Sequence, residues 1–200
     1  MSGAVRSTLR RVHPLLAIVM LTLPMFSDAF TIEHVSTRYF ERRYECELVL
    51  TVDAPLDRVL AVLRDYERYP ALHPRILQAH VIERPQDGVA LLETVVRACF
   101  GPFCRNVRRT ERVEERALEL SAYTDPARSD VRFGETHTRL EPLPGGGARI
   151  DYHTSVSPGF WIPPLVGRRW MLRTLEDAAL DLFRNVEKRA QEAPDPADAH

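Results

Sequence analysis

The sequence predicts an α+β domain: about seven antiparallel strands, two short helices after the first of them, and one long C-terminal helix. Three observations predict it. The stretch "YECELVLTV" (44–52) alternates apolar and polar residues with period two, as a half-buried strand does. Six later stretches read as strands too, divided by turn signals such as "PQDG", "GP" and "PGG". The segment "PPLVGRRWMLRTLEDAALDLFRNVEKRAQ" (163–191) repeats apolar residues at the spacing of a helix face.

In the first strand Tyr44, Cys46, Leu48, Leu50 and Val52 share one face, with Glu45, Glu47, Val49 and Thr51 on the other. Asp53 is placed to cap a helix over 55–64, where Leu56, Val59, Leu60 and Leu63 recur at helical spacing. Pro70 and Pro74 prevent a longer continuation and leave a shorter helix over 65–72. The six further strands cover 75–84, 88–100, 103–115, 116–124, 130–143 and 147–157. Pro163 and Pro164 suit the start of the last helix, whose stripe is Met171, Leu175, Ala178, Leu182 and Val186.

Two hairpins can be placed in register from the sequence. Closing the last one over "LPGGG" sets Thr138 opposite Tyr152 and Leu140 opposite Ile150 on the inward face. The outer face then pairs Arg139 with Asp151, a favourable cross-strand contact, and His137 with His153. In "VRACFGPFCRN" (96–106), setting Cys99 opposite Cys104 brings Val96 to Val107, Thr94 to Arg109, Leu92 to Glu111 and Ala90 to Val113. This face is taken as the inward one. A non-hydrogen-bonded antiparallel pair has the Cα separation a disulfide accepts.

The compartment bears on those cysteines. Residues 1–29 begin with Arg6, Arg10 and Arg11, continue through the apolar run "PLLAIVMLTLPMF", and end with the small residues Ser27 and Ala29. That order predicts a secretory signal peptide cleaved after Ala29, hence an exported, periplasmic protein. An organelle transit peptide and a retained anchor are the competing readings. The apolar run is short of the roughly 20 residues a membrane span needs. An exported chain meets oxidising conditions, so the Cys99–Cys104 pair reads as a disulfide. No second C-x-x-C or H-x-x-x-H offers the further ligands of a zinc knuckle. Cross-linking so short a loop adds little by loop entropy; it fixes the register and the hairpin tip.

Composition is ordinary for a globular chain of 200 residues, with 44% hydrophobic and 28% charged residues. Formal net charge is −1, and −3 once residues 1–29 are set aside. Nearly every basic residue is Arg, and none is concentrated on one predicted element, so no nucleic-acid partner is expected. Residues 30–43 read as a lead-in to a domain over 44–190, and 191–200, "QEAPDPADAH", as a disordered tail.

The stretch "LVLTVDAPLDRVLAVLRDYERYPALHP" (48–74) resembles the opening of the polyketide cyclase/dehydrase and coenzyme-Q-binding group of the START-like (SRPBCC, Bet v 1-like) superfamily. "RLEPLPGGGARIDYHTSV" (139–156) resembles that group's penultimate hairpin, although the group often carries Trp where Thr138 falls here. The resemblance covers 44–190. It implies a helix-grip fold, a curved antiparallel sheet wrapped around the long C-terminal helix with an apolar cavity between them.

On that fold the expected ligand cavity is lined by Val96, Val107, Arg109, Leu120, Thr138, Tyr152, Leu175 and Ala179. Arg109 could meet a ligand headgroup, pair with Glu111, or stand in solvent if the register differs. Tyr66 and Tyr69, with His73 nearby, are placed at the cavity mouth or packed under the short helices. Phe160, Trp161 and Ile162, in a Pro-rich loop, form a lip at the mouth or else plug the core. Cys46 reads as a buried small hydrophobe, and His137 and His153 as a surface pair rather than a metal site.

No nucleophile motif and no phosphate-binding glycine loop is present, and neither a cofactor nor a metal is expected. The leading expectation is a non-enzymatic exported carrier of a hydrophobic small molecule: a lipid, quinone or isoprenoid. It would be a monomer touching membranes transiently. The alternatives are a polyketide cyclase/dehydratase-like enzyme using Arg109 and Tyr152, and an envelope protein-interaction module without ligand.

Overall fold

The structure is a computed structural model that describes residues 30–100, 103–162 and 167–192. The expected signal segment, the cleavage point after Ala29, the helix-start prolines Pro163 and Pro164, and residues 193–200 lie outside the described residues.

Among the described residues, eight antiparallel strands form one sheet: β1 (Thr31–Phe40), β2 (Arg43–Val52), β3 (Ile76–Gln86), β4 (Val89–Phe100), β5 (Phe103–Glu115), β6 (Glu119–Thr124), β7 (Val131–Pro142) and β8 (Ala148–Pro158). Their order across the sheet is β1-β2-β8-β7-β6-β5-β4-β3. Between β2 and β3 lie α1 (Leu56–Arg64), a 3-10 turn (Tyr66–Arg68) and α2 (Tyr69–Leu72). The long helix α3 spans Gly167–Glu192. This is the helix-grip arrangement, with one strand more than expected.

The additional strand is β1, in the stretch read as a lead-in. It pairs with β2 along its length, from Thr31 opposite Thr51 to Phe40 opposite Arg43. Being an edge strand, it is mostly exposed and carries no clean apolar alternation for a pattern to reveal.

Both hairpin registers are those derived from the pattern. Thr138 faces Tyr152 and His137 faces His153; Cys99 faces Cys104 and Thr94 faces Arg109. Arg139 stands opposite Asp151 as derived, but the two form no ion pair. Arg139 reaches Glu119 across to β6 at 3.0 Å, and Asp151 is taken by Arg149 at 2.7 Å.

The core lies between the inner faces of β2, β7 and β8 and the helices. Leu48, Leu50, Leu140, Ile150, Phe183 and Val186 are all fully buried there. Asp53 is not a cap: Pro55 occupies the N-cap of α1, and no side chain bonds there. Asp53 serves the far end of the fold instead. Its N–H donates to Glu187 Oε1 (2.8 Å), which also accepts from the Phe30 N–H (3.0 Å), and its carbonyl accepts from Gln191 (2.8 Å). The C-terminal end of α3 is thereby clamped to both β-strand approaches.

The packed face of α3 is rotated from the expected stripe. Ala179, Phe183, Val186 and Ala190 are buried, whereas Met171, Leu175, Ala178 and Leu182 stay half-exposed. Those four face a void.

Candidate ligand cavity

The N-terminal half of α3 stands off from the sheet, and the space left is a cavity of about 590 Å³. Its helix wall is Met171, Leu175, Ala178 and Leu182; its sheet wall is Val96, Val107, Val131 and Val156. Ala179, Tyr152 and Arg109 border it more deeply. Arg75, Arg97, Arg105, Phe103 and Trp161 stand among its lining, and no Asp or Glu does among the described residues.

A second chamber of about 180 Å³ continues inward, sharing Ile76, Val96, Arg109, Tyr152 and Leu182 with the first. Leu120 and Thr138, expected in the main cavity, line this inner chamber instead, because β6 and the adjoining part of β7 lie toward the closed end. Thr138 is small, and a Trp there would occupy this space.

Arg109 sits at the junction of the two chambers and pairs with Glu111, two residues along the same face of β5. Glu111 is buried and also accepts from the Thr124 hydroxyl (3.4 Å). The buried Nε of Arg109 has no protein partner. Of the three readings of Arg109, the ion pair is the one observed. Gly134 makes room for it: a Cβ there would lie 3.2 Å from Arg109 Nη2 and 2.2 Å from Thr124 Oγ1.

Tyr152 crosses from β8 to Phe183 edge-on, with ring centroids 5.2 Å apart. Burial pushes its phenol up to about 12, so it is protonated at neutral pH and can donate a hydrogen bond. Cys46 is fully buried, and burial likewise pushes its thiol up to about 12, an inert position.

Tyr66 and Tyr69 do not stand at the mouth. Tyr66 is buried with its hydroxyl donating to Glu115 Oε1 (2.9 Å), and Tyr69 donates to the Leu63 carbonyl (2.7 Å). Their rings meet edge-to-face and close the inner chamber, since the short helices cover the end of the sheet away from the opening. His73 borders the main cavity, is buried, and accepts the Arg75 N–H at Nδ1 (3.0 Å). Burial, with Arg75 next, lowers its affinity for a proton.

The loop after β8 divides the two readings given to it. Phe160 and Ile162 pack against the cluster of Tyr44, Val107, Val131 and Val156, while Trp161 is 77% exposed. Gly159 pins the loop: its N–H donates to the Asp130 carbonyl (2.8 Å), and a Cβ would come within 2.4 Å of that oxygen. Opposite stands the hairpin tip, closed by the Cys99–Cys104 disulfide, with Phe103 76% exposed.

The rim residues Phe103, Arg75 and Arg97 escaped the sequence reading, because arginines on separate segments show no cluster until the strands assemble. Val156 could have been found, since it follows Tyr152 and Thr154 at period two on the inward face of β8. His137 and His153 are stacked with centroids 6.4 Å apart, and His137 is held by Glu135 (2.7 Å) and Ser121 (3.0 Å). Among the described residues, no group of three or more potential ligands could hold a metal ion.

Solved structures share this architecture. The Zhui aromatase/cyclase of a Streptomyces species aligns with a TM-score of 0.65 at 16% identity, over 78% of this chain and 98% of its own. A START superfamily protein from Mycobacterium smegmatis gives 0.61 at 16%, over 74% and 97%. A STAR-related lipid transfer protein from Xanthomonas axonopodis gives 0.57 at 15%, over 78% and 98%. At these identities the likeness shows the fold. No curated protein matches in sequence. The family model described as polyketide cyclase/dehydrase and lipid transport matches residues 43–189, most of the chain, and the chain belongs to that family.

Proposed function

We propose that this protein is an exported binder or carrier of a hydrophobic small molecule, of the lipid, quinone or isoprenoid class. The observation that carries the reading is the cavity of about 590 Å³, walled by aliphatic side chains of α3, β5, β7 and β8. Aliphatic carbon entering it leaves water, at about 0.8 kcal/mol per CH₂. The stripe of α3 supports the reading, since Met171, Leu175, Ala178 and Leu182 are only partly buried and all four border the cavity.

Arg109 and Tyr152 suit the polar end of such a ligand. Arg109, whose side chain keeps 24% exposure, offers its guanidinium and Tyr152 a protonated hydroxyl, and both residues border the junction between the chambers. The same convergence supports a second reading, a cyclase or dehydratase in which these two groups polarise a ligand carbonyl. Export rests on the N-terminal sequence and is compatible with the disulfide. Among the described residues, no helix is long and apolar enough to cross a membrane.

Mass spectrometry of an organic extract of the protein, purified without detergent from its native compartment, tests the carrier reading. A stoichiometric apolar compound supports it and names the ligand. An empty extract, together with no uptake of added lipids or quinones, removes it in favour of a protein-interaction module. Turnover of a polyketide that is lost in both Arg109→Gln and Tyr152→Phe would establish the enzyme reading.

A further inference from the structure

We infer that the open end of the domain is a docking surface for an anionic lipid bilayer. The inference goes beyond ligand binding and stands whether or not the cavity is filled.

Net charge conceals an uneven distribution. Arg75, Arg97 and Arg105 rim the opening, with no carboxylate in its lining. Arg42 lies in the turn between β1 and β2, Arg132 at the start of β7, and Arg168 and Arg169 in the first turn of α3, which has no acidic residue. These elements meet at one end, because Tyr44 pairs with Val156 and Val131 with Pro158 beside the cavity wall. Acids also stand at this end: Glu41, Glu45, which pairs with Arg38, and Asp130, which accepts from the Arg108 N–H.

At the far end several arginines are neutralised. Arg64 and Arg84 pair with Glu115, Arg112 with Glu114, and Arg116 with Glu119. At the open end, Arg97, Arg132 and Arg169 form no ion pair among the described residues. Arg105 lies over the Phe160 ring at 4.5 Å and Arg168 over the Tyr39 ring at 4.2 Å. Stacking holds a guanidinium in place without cancelling its charge.

Two of the most exposed large apolar side chains stand among these charges. Trp161 is 77% and Phe103 is 76% exposed, one on each lip of the cavity, and both lips are fixed, by Gly159 and by the disulfide. A ligand held inside the cavity makes little use of rim aromatics that keep three-quarters of their surface in solvent. A bilayer surface uses both features: Trp settles at the headgroup level, and basic side chains meet lipid phosphates. An acidic protein would answer the charge and the aromatics as well; the bilayer is favoured because the two tips flank the mouth of an apolar cavity, where an apolar ligand would pass to or from lipid.

Cosedimentation tests this, using the protein as its host processes it. The vesicles are phosphatidylcholine alone, or phosphatidylcholine with about 30% phosphatidylglycerol. Binding is expected on the anionic vesicles at least about tenfold more tightly than on the neutral ones, and it weakens as salt rises from about 0.1 to 0.5 M. Arg97→Gln with Arg105→Gln lowers affinity about 30-fold, and Arg97→Lys with Arg105→Lys preserves it. Arg112→Gln with Arg116→Gln, at the far end, leaves binding within about twofold. Tryptophan emission shifts to the blue on anionic vesicles and loses that shift in Trp161→Phe. Circular dichroism checks that each variant is folded. Failure to bind anionic vesicles overturns the inference. So does binding indifferent to lipid charge and to the rim variants, as a retained apolar segment at 14–26 would give.

Discussion

Arg109 and Gly134 are complementary: the guanidinium lies where a side chain on Gly134 would begin, 3.2 Å from the position of its Cβ. The same Cβ would be 2.2 Å from Thr124 Oγ1, so something must move if it is added. Gly134→Ala is therefore expected to destabilise the fold by about 1–3 kcal/mol through overpacking. Combining it with Thr124→Ala relieves the worse clash and recovers much of the loss, a non-additivity that a double-mutant cycle in denaturant measures. Additive losses would mean that Gly134 matters for another reason.

The Arg109–Glu111 pair sets a second expectation. Arg109→Met leaves Glu111, whose side chain is 9% exposed, without its counter-charge. The loss is about 2–4 kcal/mol, toward the lower end because the Arg109 side chain keeps 24% exposure. Glu111→Gln costs about 1 kcal/mol, since the amide oxygen still accepts. Replacing both by Met is expected to regain part of the loss. If Arg109→Met is silent, the pair is solvated in solution and Arg109 does not hold the chamber junction.

His73 gives the fold a pH dependence of defined sign. Its folded pKa lies below the ordinary 6.5, because burial and then Arg75 disfavour the charge, with Asp181 opposing. The unfolded chain thus takes up the proton first as pH falls. Stability is fully present above pH 6.5, declines between there and the lower folded value, and levels off below it. His73→Asn keeps an acceptor for the Arg75 N–H without titrating. Its stability is expected to be flatter across that window than the parent's, as paired denaturation curves would read; parallel profiles would sink the assignment.

Thiol counting tests the cysteines together. The chain has three, of which Cys99 and Cys104 are joined and Cys46 is buried. A thiol reagent is expected to label none in the native protein, one after denaturation, and three after reduction as well. Labelling of the native protein would contradict the buried, protonated state of Cys46; three labels without reductant would contradict the disulfide.

Much of this was legible in the sequence because strand alternation and short turns act locally. Thr138 opposite Tyr152 followed from closing the loop over "LPGGG", and setting Cys99 opposite Cys104 placed Thr94 opposite Arg109. β1 was not legible, since an exposed edge strand needs no apolar face. The rotation of α3 was hidden for a related reason. Leu175 and Leu182 look like core residues in the sequence, and only the stand-off of the helix shows that they border a void while Phe183 fills the core. Tyr66 and Tyr69 could be read at the mouth or under the short helices, because a short helical segment can sit at either end of a sheet. Contact between distant strands decides which.

Thr138 offers the sharpest test of how the cavity is divided. It faces Leu120 on one side and Tyr152 on the other, and it lines the inner chamber of about 180 Å³. In Thr138→Trp the indole points into that chamber and fills it, leaving the outer cavity walled by Val131, Val156 and Leu175 intact. Filling a void offsets the strain of a larger side chain, so stability is expected to stay level or rise by about 1 kcal/mol. A fall of about 3 kcal/mol or more would mean that the chamber cannot accept the ring. If ligand carbon extends past Arg109, compounds extracted from the variant will be shorter than those from the parent. An unchanged set would confine the ligand to the outer cavity and leave the inner chamber to the Arg109–Glu111 pair alone.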